Sequence, residues 1–213
     1  MKLKQNQKEL CERINYSFVN VALLEQALVH SSLKSRGHMN NQRMEFLGDR
    51  ILGFVISDYL FKNHPNWREG ILALNLNFLV CKEACAEIAE KVSLGKSLIM
   101  GKSESKYGGR TKKAILADAI EALIAAIYLD SNISEVRKVI IKLWRAKLTD
   151  LSEVELDPKT TLQHWVQARN MRLPQYIDMR RDGLDHDPIF YVEVRLENGL
   201  SAIGKEKSKQ GAQ

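Results

Sequence analysis

The chain has 213 residues, of which 45% are hydrophobic and 27% charged, which is ordinary for a soluble globular protein with one medium domain or two small ones. The formal net charge of +6 is compatible with a polyanionic partner, although a modest basic excess also serves solubility. Because the N-terminus lacks the apolar core of a signal peptide and no later run could cross a bilayer, we expect a cytoplasmic protein with no membrane partner.

Helical periodicity dominates from residue 8 to about residue 148, with breaks at "SRGHMN", "NHPNWREG" and "GKSESKYGGR". The three cysteines form no paired framework, which fits a reducing compartment. Cys81 and Cys85 lie one helical turn apart without further ligands at zinc-binding spacing, so we expect buried small side chains there. The pattern predicts an all-helical domain over residues 1–149.

The stretch "QRMEFLGDRIL" places two carboxylates on an otherwise apolar helix. At about 100° per residue, Glu45 and Asp49 share a narrow stripe with Leu52 and Ile56. A second helix, "KKAILADAIEALIAAIYLD", is almost continuously apolar and is interrupted by Asp118 and Glu121 at i, i+3 spacing. Buried carboxylates must be paired, protonated or bound to a cation.

Two interpretations of these four acids remain open from the residues alone. Oxygen ligands suit Mg²⁺, or Mn²⁺ in its place, and such a site suits phosphodiester hydrolysis without a covalent nucleophile. In the other interpretation the acids form ion pairs, Glu45 and Asp49 with Arg43 or Arg50, and Asp118 with Lys112 or Lys113.

The pattern changes after the acidic stretch "LTDLSEVELDPKT", which predicts a linker over residues 150–156 and a second domain over residues 157–213. "KTTLQHWVQARN" indicates a helix opened by Pro158, and "PQYIDMRRDG", "IFYVEVRLENG" and "LSAIGKEK" indicate three antiparallel strands. Trp165 and Tyr176 are expected in the core of this small α+β domain. We predict an α-β-β-β order, with the final helix missing and the domain C-terminally incomplete.

Several ordered motifs resemble the ribonuclease III family. "RMEFLGDRIL" is similar to that family's signature, "GGRTKKAILADAIEALIAAIYLD" to its second acidic motif, and "LEQALVHSS", "LPQY" and "DHDPIFYVEVRL" match in order. The resemblance runs over essentially the whole chain. It implies a homodimeric helical endonuclease domain joined to a double-stranded-RNA-binding domain.

The resemblance also implies site residues. Glu45, Asp49, Asp118 and Glu121 would be the metal ligands, with Asp49 and Glu121 catalytic, and Glu69 would reach toward the partner subunit's site. Gln42 stands where the family signature has Glu, so we expect weaker metal binding from the lost negative charge. Arg110 and Lys112 would lie near RNA phosphates. The expected RNA contacts of the second domain are Thr160, Gln163, His186, Lys205, Lys207 and Lys209.

The expected function is Mg²⁺-dependent cleavage of double-stranded RNA to products with a 5′-phosphate, a 3′-hydroxyl and two-nucleotide 3′ overhangs, in processing of rRNA precursors, mRNA and tRNA. One alternative is an RNA-binding regulator with weak or no cleavage, suggested by Gln42. Another is a helical hydrolase of small phosphate compounds, suggested by the shortened second domain. The glycines of "LGKSLIMGKSES" have the wrong spacing for a phosphate-binding loop, so no nucleotide cofactor is expected.

Overall fold

The computed structural model describes residues 3–33, 39–151, 158–167, 169, 171–184 and 187–212. By its contacts the chain divides into two compact units, Met1–Glu153 and Val154–Gln213. Within the described residues, no helix has both the length and the apolar character that crossing a bilayer requires. Most of the predicted linker lies outside the described residues.

The first unit consists of helices joined by short connections. In chain order these are α1 (Gln5–Ile14), α2 (Val21–Leu28), α3 (Gln42–Asn63), α4 (Glu69–Val80), α5 (Lys82–Lys91), α6 (Lys102–Lys106), α7 (Lys113–Asp130) and α8 (Ile133–Thr149). Short 3₁₀ turns at Leu94–Ser97 and Gly109–Thr111 complete the unit.

Helix α7 lies at the centre of this unit because it is apolar nearly all round, from Ile115 to Ile127. It packs against α2, α3 and α5. Helix α8 is amphipathic and begins at Asn132, whose side chain accepts hydrogen bonds from the amides of Ser134 and Glu135 at 2.9 and 3.1 Å. Trp144 of α8 is fully buried and donates from Nε1 to the Leu79 carbonyl oxygen at 2.8 Å.

The carboxylate of Asp130, the last residue of α7, ties that helix to the connection between α1 and α2. It accepts hydrogen bonds from the Tyr16 hydroxyl at 2.8 Å and from the amides of Val19 and Asn20 at 2.9 and 2.7 Å. These three bonds fix the C-terminal end of α7 against the first two helices.

The stretch "GKSESKYGGR" differs from its prediction as a break, since it contains α6 and the turn Gly109–Thr111. Two side chains hold it. Lys112 pairs with Glu104 at 2.7 Å, and the Arg110 guanidinium donates to the carbonyl oxygens of Gly95 and Leu98 at 2.9 and 2.7 Å. Both residues that were expected near RNA phosphates therefore have partners within the protein.

The second unit contains α9 (Pro158–Gln167) and the antiparallel strands β1 (Gln175–Leu184), β2 (Asp187–Arg195) and β3 (Ser201–Glu206), in the order β1-β2-β3. Val166 of α9 and Val192 of β2 are buried, and Lys159 lies 4.8 Å from the centroid of the Tyr176 ring. Tyr176 pairs with Val194, on the same face as Val192. Helix α9 therefore covers this face of the sheet.

A single helical turn, α10 (Lys209–Ala212), follows β3 where the sequence predicted no final helix. The Ser208 hydroxyl oxygen accepts a hydrogen bond from the Gly211 amide at 3.0 Å, which is the capping arrangement that begins a helix. The order of elements over the described residues is thus α-β-β-β followed by a single helical turn.

Candidate active site

Three carboxylates from two helices converge in the first unit. Glu45 comes from α3, and Asp118 and Glu121 come from α7. One carboxylate oxygen of each lies within 4.8 Å of the others, and all three residues are half-buried. Because α3 and α7 pack side by side, the two acidic interruptions seen in the sequence meet at one place.

Gly48 explains how close these two helices come. A β-carbon at this position would lie 1.8 Å from the Glu121 carbonyl oxygen and 2.5 Å from its carbonyl carbon. No side chain fits there, so glycine allows the backbones of α3 and α7 to touch beside the acids. The glycine of "EFLGD" thereby positions Glu121 against Glu45.

Asp49 is placed differently from the other three acids. Its carboxylate pairs with Arg50 at 2.8 Å, and it is absent from the group of three converging carboxylates. It remains close enough to raise the pKa of Glu121. Asp49 therefore forms one of the ion pairs considered above and its role as a ligand stays a prediction, whereas among the described residues no ion pair reaches Glu45, Asp118 or Glu121.

Burial and the close spacing of negative charges raise the pKa values of two acids in the cluster. Burial, together with the charges of Asp49, Asp118 and Glu45, raises the pKa of Glu121 to about 7. Burial and the charge of Asp118 also raise the pKa of Glu45. A divalent cation among these carboxylates would remove the repulsion that raises both values.

Helix α5 brings two further residues to the cluster that the sequence analysis did not include. The charge of Lys82, an exposed residue in the first turn of α5, lowers the pKa values of Glu45 and Glu121. Cys85 is fully buried, and its thiol donates to the Val80 carbonyl oxygen at 3.7 Å. Burial, to which the charge of Glu121 adds, raises the pKa of Cys85, so the thiol stays protonated. No local pattern marks these residues, because only the packing of α5 on α7 brings them here.

The auxiliary residues Gln42 and Glu69 lie apart from each other. Gln42 is exposed at the first position of α3, one turn before Glu45, and its side-chain oxygen accepts a hydrogen bond from Asn40 Nδ2 at 3.2 Å. Glu69 begins α4 and lies beside Phe54 and Leu72 in a groove between α3 and α4. The structure does not bring Glu69 into the carboxylate group of its own chain.

The predicted RNA contacts of the second unit are dispersed. Gln163 is half-buried on α9, the side chain of Thr160 on the same helix is not described, and His186 lies outside the described residues. Lys207 is exposed in the turn after β3, and Lys209 Nζ contacts the Asp178 carboxylate.

Lys205 lies on the sheet face opposite α9. It pairs in register with Tyr191, adjacent to the inward-facing Val192, and its Nζ lies 5.6 Å from the centroid of the Tyr191 ring. Arg180 approaches the same ring at 4.3 Å. Lys205 and Gln163 thus lie on opposite sides of the sheet, and the contact of each with RNA stays a prediction.

Two family models match the chain, and together they span both units. The model described as "Ribonuclease-III-like" matches residues 20–148, and the "Double-stranded RNA binding motif" matches residues 158–213. The first covers more than half of the chain and includes all the acids of the cluster. The chain belongs to the ribonuclease III family. The resemblance seen in the sequence is confirmed, and with it the class of the enzyme, a double-stranded-RNA-specific endoribonuclease.

The similarity to individual relatives extends over nearly the whole of this chain. The chain is 43% identical over 213 residues to "Ribonuclease 3" of Dinoroseobacter shibae, which covers 100% of this chain and 93% of the relative. It is 46% identical over 199 residues to "Ribonuclease 3" of Cereibacter sphaeroides, covering 93% of this chain and 87% of the relative.

A solved structure matches the first unit of this ribonuclease III family member. The nuclease domain of ribonuclease III from Campylobacter jejuni superposes with a TM-score of 0.66 at 34% identity, covering 70% of this chain and 100% of that one. The predicted fold class, a helical nuclease domain followed by a small α+β domain, is confirmed.

The carboxylate group fits a divalent cation by its chemistry. It offers only oxygen donors, it is half-buried, and it carries charge that no other side chain in the described part of the chain balances by direct pairing. Hard cations such as Mg²⁺ and Mn²⁺ prefer such ligands, whereas Zn²⁺ prefers nitrogen and sulfur. Cys85 Sγ, which would favour a softer metal, is not part of the converging group.

Proposed function

We propose that the chain is a Mg²⁺-dependent endonuclease that cleaves double-stranded RNA, with Mn²⁺ able to substitute, and that Glu45, Asp118 and Glu121 hold the cation. The convergence of these three carboxylates within 4.8 Å carries the proposal. When bound, Mg²⁺ supplies stabilisation of phosphoryl charge and an activated water. Asp49 contributes negative charge from its position beside the group.

The chain's own residues prepare this site in two ways. Glu121 must lose its proton to act as a ligand, and its pKa of about 7 means that this happens close to neutral pH. Lys82 contributes positive charge at the rim, where the phosphates of a duplex must approach a cluster of acids.

We also propose that the enzyme acts as a homodimer with two such sites, so that each subunit cuts one strand. An apolar groove between α3 and α4 supports this proposal. It is lined by Phe54, Leu60, Phe61, Leu72 and Leu76, with Glu69 at its side. The rings of Phe54 and Phe61 are 57% and 72% exposed, which is unusual for large apolar side chains on one helix face unless another surface covers them.

The expected products carry a 5′-phosphate, a 3′-hydroxyl and two-nucleotide 3′ overhangs, and the expected substrates are rRNA precursors and other structured transcripts. Water-dependent hydrolysis at a carboxylate-held cation supports the end groups, since no covalent nucleophile is required. The match to a double-stranded RNA binding motif supports a duplex substrate over a small phosphate compound. The free cysteines agree with action in the reducing cytoplasm.

The test is incubation of the purified 213-residue chain with an end-labelled RNA hairpin, with Mg²⁺ or with EDTA. Staggered cuts bearing 5′-phosphates only when Mg²⁺ is present would support the proposal. The Glu121→Gln variant should not cleave but should retain hairpin binding, whereas Glu83→Gln, an exposed acid in the first turn of α5, should cleave normally. A wild-type chain that retards the hairpin without cutting it would instead support the RNA-binding regulator suggested by Gln42.

A further inference from the structure

We propose that Gln42 is a substrate-binding residue that donates a hydrogen bond from its side-chain Nε2 to a backbone oxygen of the RNA, a phosphate or ribose oxygen, next to the carboxylate group. This inference rests on the proposed function and assigns one residue of the same site. It adds a role toward the substrate to the expectation from the sequence, which was weaker metal binding from the lost negative charge.

The contacts of Asn40 fix which side of the Gln42 carboxamide is available. Asn40 Oδ1 accepts a hydrogen bond from the Gln42 backbone amide at 3.1 Å, and Asn40 Nδ2 donates to the Gln42 side-chain oxygen at 3.2 Å. The two bonds hold the first residue of α3 in a closed pair with Asn40. The oxygen already accepts one hydrogen bond, whereas the amino group at the other end of the carboxamide has both N–H bonds unengaged among the described residues and can only donate.

The position of Gln42 makes this donor useful. It is exposed, and it lies one helical turn before Glu45 on α3, at the rim of the acid group. In the described part of the chain, Nε2 has no hydrogen-bond partner. A neutral donor here can meet an RNA oxygen without adding a fifth negative charge beside Glu45, Asp49, Asp118 and Glu121.

Lys82 of α5 is a second group beside the acids that is suited to contact with RNA. It is exposed on α5, its charge acts on Glu45 and Glu121, and among the described residues it forms no ion pair. The rim of the acid group therefore carries a cation from α5 and an amide donor from α3. Both are suited to an anionic backbone that must come close to carboxylates.

The decisive variant is Gln42→Met, which keeps side-chain length and neutrality but removes the donor. We expect binding of a labelled RNA hairpin in EDTA to weaken about 3- to 10-fold, and the KM for cleavage to rise by a similar factor. The Mg²⁺ concentration for half-maximal cleavage should stay within about twofold, because no charge changes. Gln5→Met is the matched control, since Gln5 is also exposed at the first position of a helix, α1.

Asn40→Ala provides a second test, because Asn40 is the residue that holds the Gln42 side chain in place. If Asn40 acts by orienting Gln42, the loss of hairpin binding in Asn40→Ala and in Gln42→Met should not add in the double variant. Additive losses would show that the two residues act separately and would overturn the positioning role.

The remaining outcomes separate the inference from the proposed function. A Gln42→Met chain that binds RNA like wild type but needs several-fold more Mg²⁺ would overturn the inference and restore a role toward the metal. Normal behaviour in both measurements would also overturn it. If the wild-type chain never cleaves, yet Gln42→Met still weakens hairpin binding in EDTA, the proposed function fails while the contact to RNA stands.

Discussion

The backbone of Gly48 lies against the backbone of Glu121, so closely that a β-carbon on residue 48 would come within 1.8 Å of the Glu121 carbonyl oxygen. One glycine thus sets the separation of the two helices that carry the proposed metal ligands. A change of even a single methyl group here must push α3 and α7 apart.

Gly48→Ala is therefore expected to destabilise the fold by about 2 kcal/mol or more, because the overlap is with backbone that cannot rotate away. Cleavage should fall at least about 100-fold, since the ligands move apart. Thermal unfolding and a hairpin cleavage assay measure the two effects. Gly53→Ala is the control on the same helix, because its β-carbon would meet nothing within 4 Å. That variant should be neutral or slightly more stable, and equal behaviour of the two variants would refute the close approach.

Metal binding should depend on pH because a proton competes with the cation for Glu121. Because the pKa of Glu121 is about 7, the Mg²⁺ concentration for half-maximal cleavage should rise about tenfold for each pH unit below 7. Above pH 8 it should level off. Titrations at several pH values would measure this. Glu83→Gln should keep the same profile, and a flat metal requirement from pH 6 to 8 would contradict the assignment of Glu121 as a ligand.

The same group affects the stability of the metal-free protein. The pKa of Glu121 is raised from an ordinary value of 4.5, so the folded state binds more protons than the unfolded state between 4.5 and about 7. Its contribution to stability is therefore lost as the pH rises through this window. Thermal unfolding in EDTA should show a smaller decline between pH 5 and 8 for Glu121→Gln than for the wild type.

The proposed dimer depends on the apolar groove between α3 and α4. Phe61→Glu places a charge where the ring is now 72% exposed, and it should weaken self-association at least about 30-fold without unfolding the subunit. Sedimentation velocity at micromolar concentration measures the change. Val19→Glu is the control, since Val19 is 90% exposed and lies outside the groove. A wild-type monomer, or a Phe61→Glu chain that still dimerises, would remove this surface as the interface.

In the second unit, the ion pair with Asp178 reduces the positive charge that Lys209 can present to RNA phosphates. Asp178→Asn should release the lysine and tighten hairpin binding about two- to fivefold at low salt. The slope of log affinity against log salt should become steeper by about one. Asp182→Asn is the control, because that carboxylate pairs with Arg180 at 3.3 Å. Unchanged salt dependence in Asp178→Asn would show that Lys209 does not contact phosphates.

Periodicity was sufficient to predict most of the helices and all three strands. Alternation in "IFYVEVRL" marked β2, and continuous apolar character marked α7 as buried. The acid cluster could also be predicted, because Glu45, Asp118 and Glu121 are unusual residues for apolar helices. The side chain of Asp49 could not be placed, since its choice between Arg50 and the cluster depends on rotamer rather than spacing.

Contacts that depend on packing between distant segments were not predicted from the sequence. Cys85 and Lys82 reach the cluster only because α5 packs on α7. Arg110 was expected near RNA but donates to carbonyl oxygens 12 and 15 residues earlier in the chain. Lys205 was grouped with Lys207 and Lys209 by sequence proximity, although it alone belongs to β3, where its pairing with Tyr191 places it on the sheet face opposite Val192. Charge patterns alone do not distinguish a ligand-binding cation from one that supports the fold.

The three hydrogen bonds at Asp130 restrain α7, the helix that carries Asp118 and Glu121. They anchor α7 at the end opposite its N-terminus, nine residues beyond Glu121, while contact with Gly48 holds the same helix sideways. A helix restrained in both directions cannot slide or roll to accommodate an ion. We therefore expect the proposed cation to meet carboxylates that are already in place, with its binding strength governed by protonation and charge rather than by rearrangement of the protein.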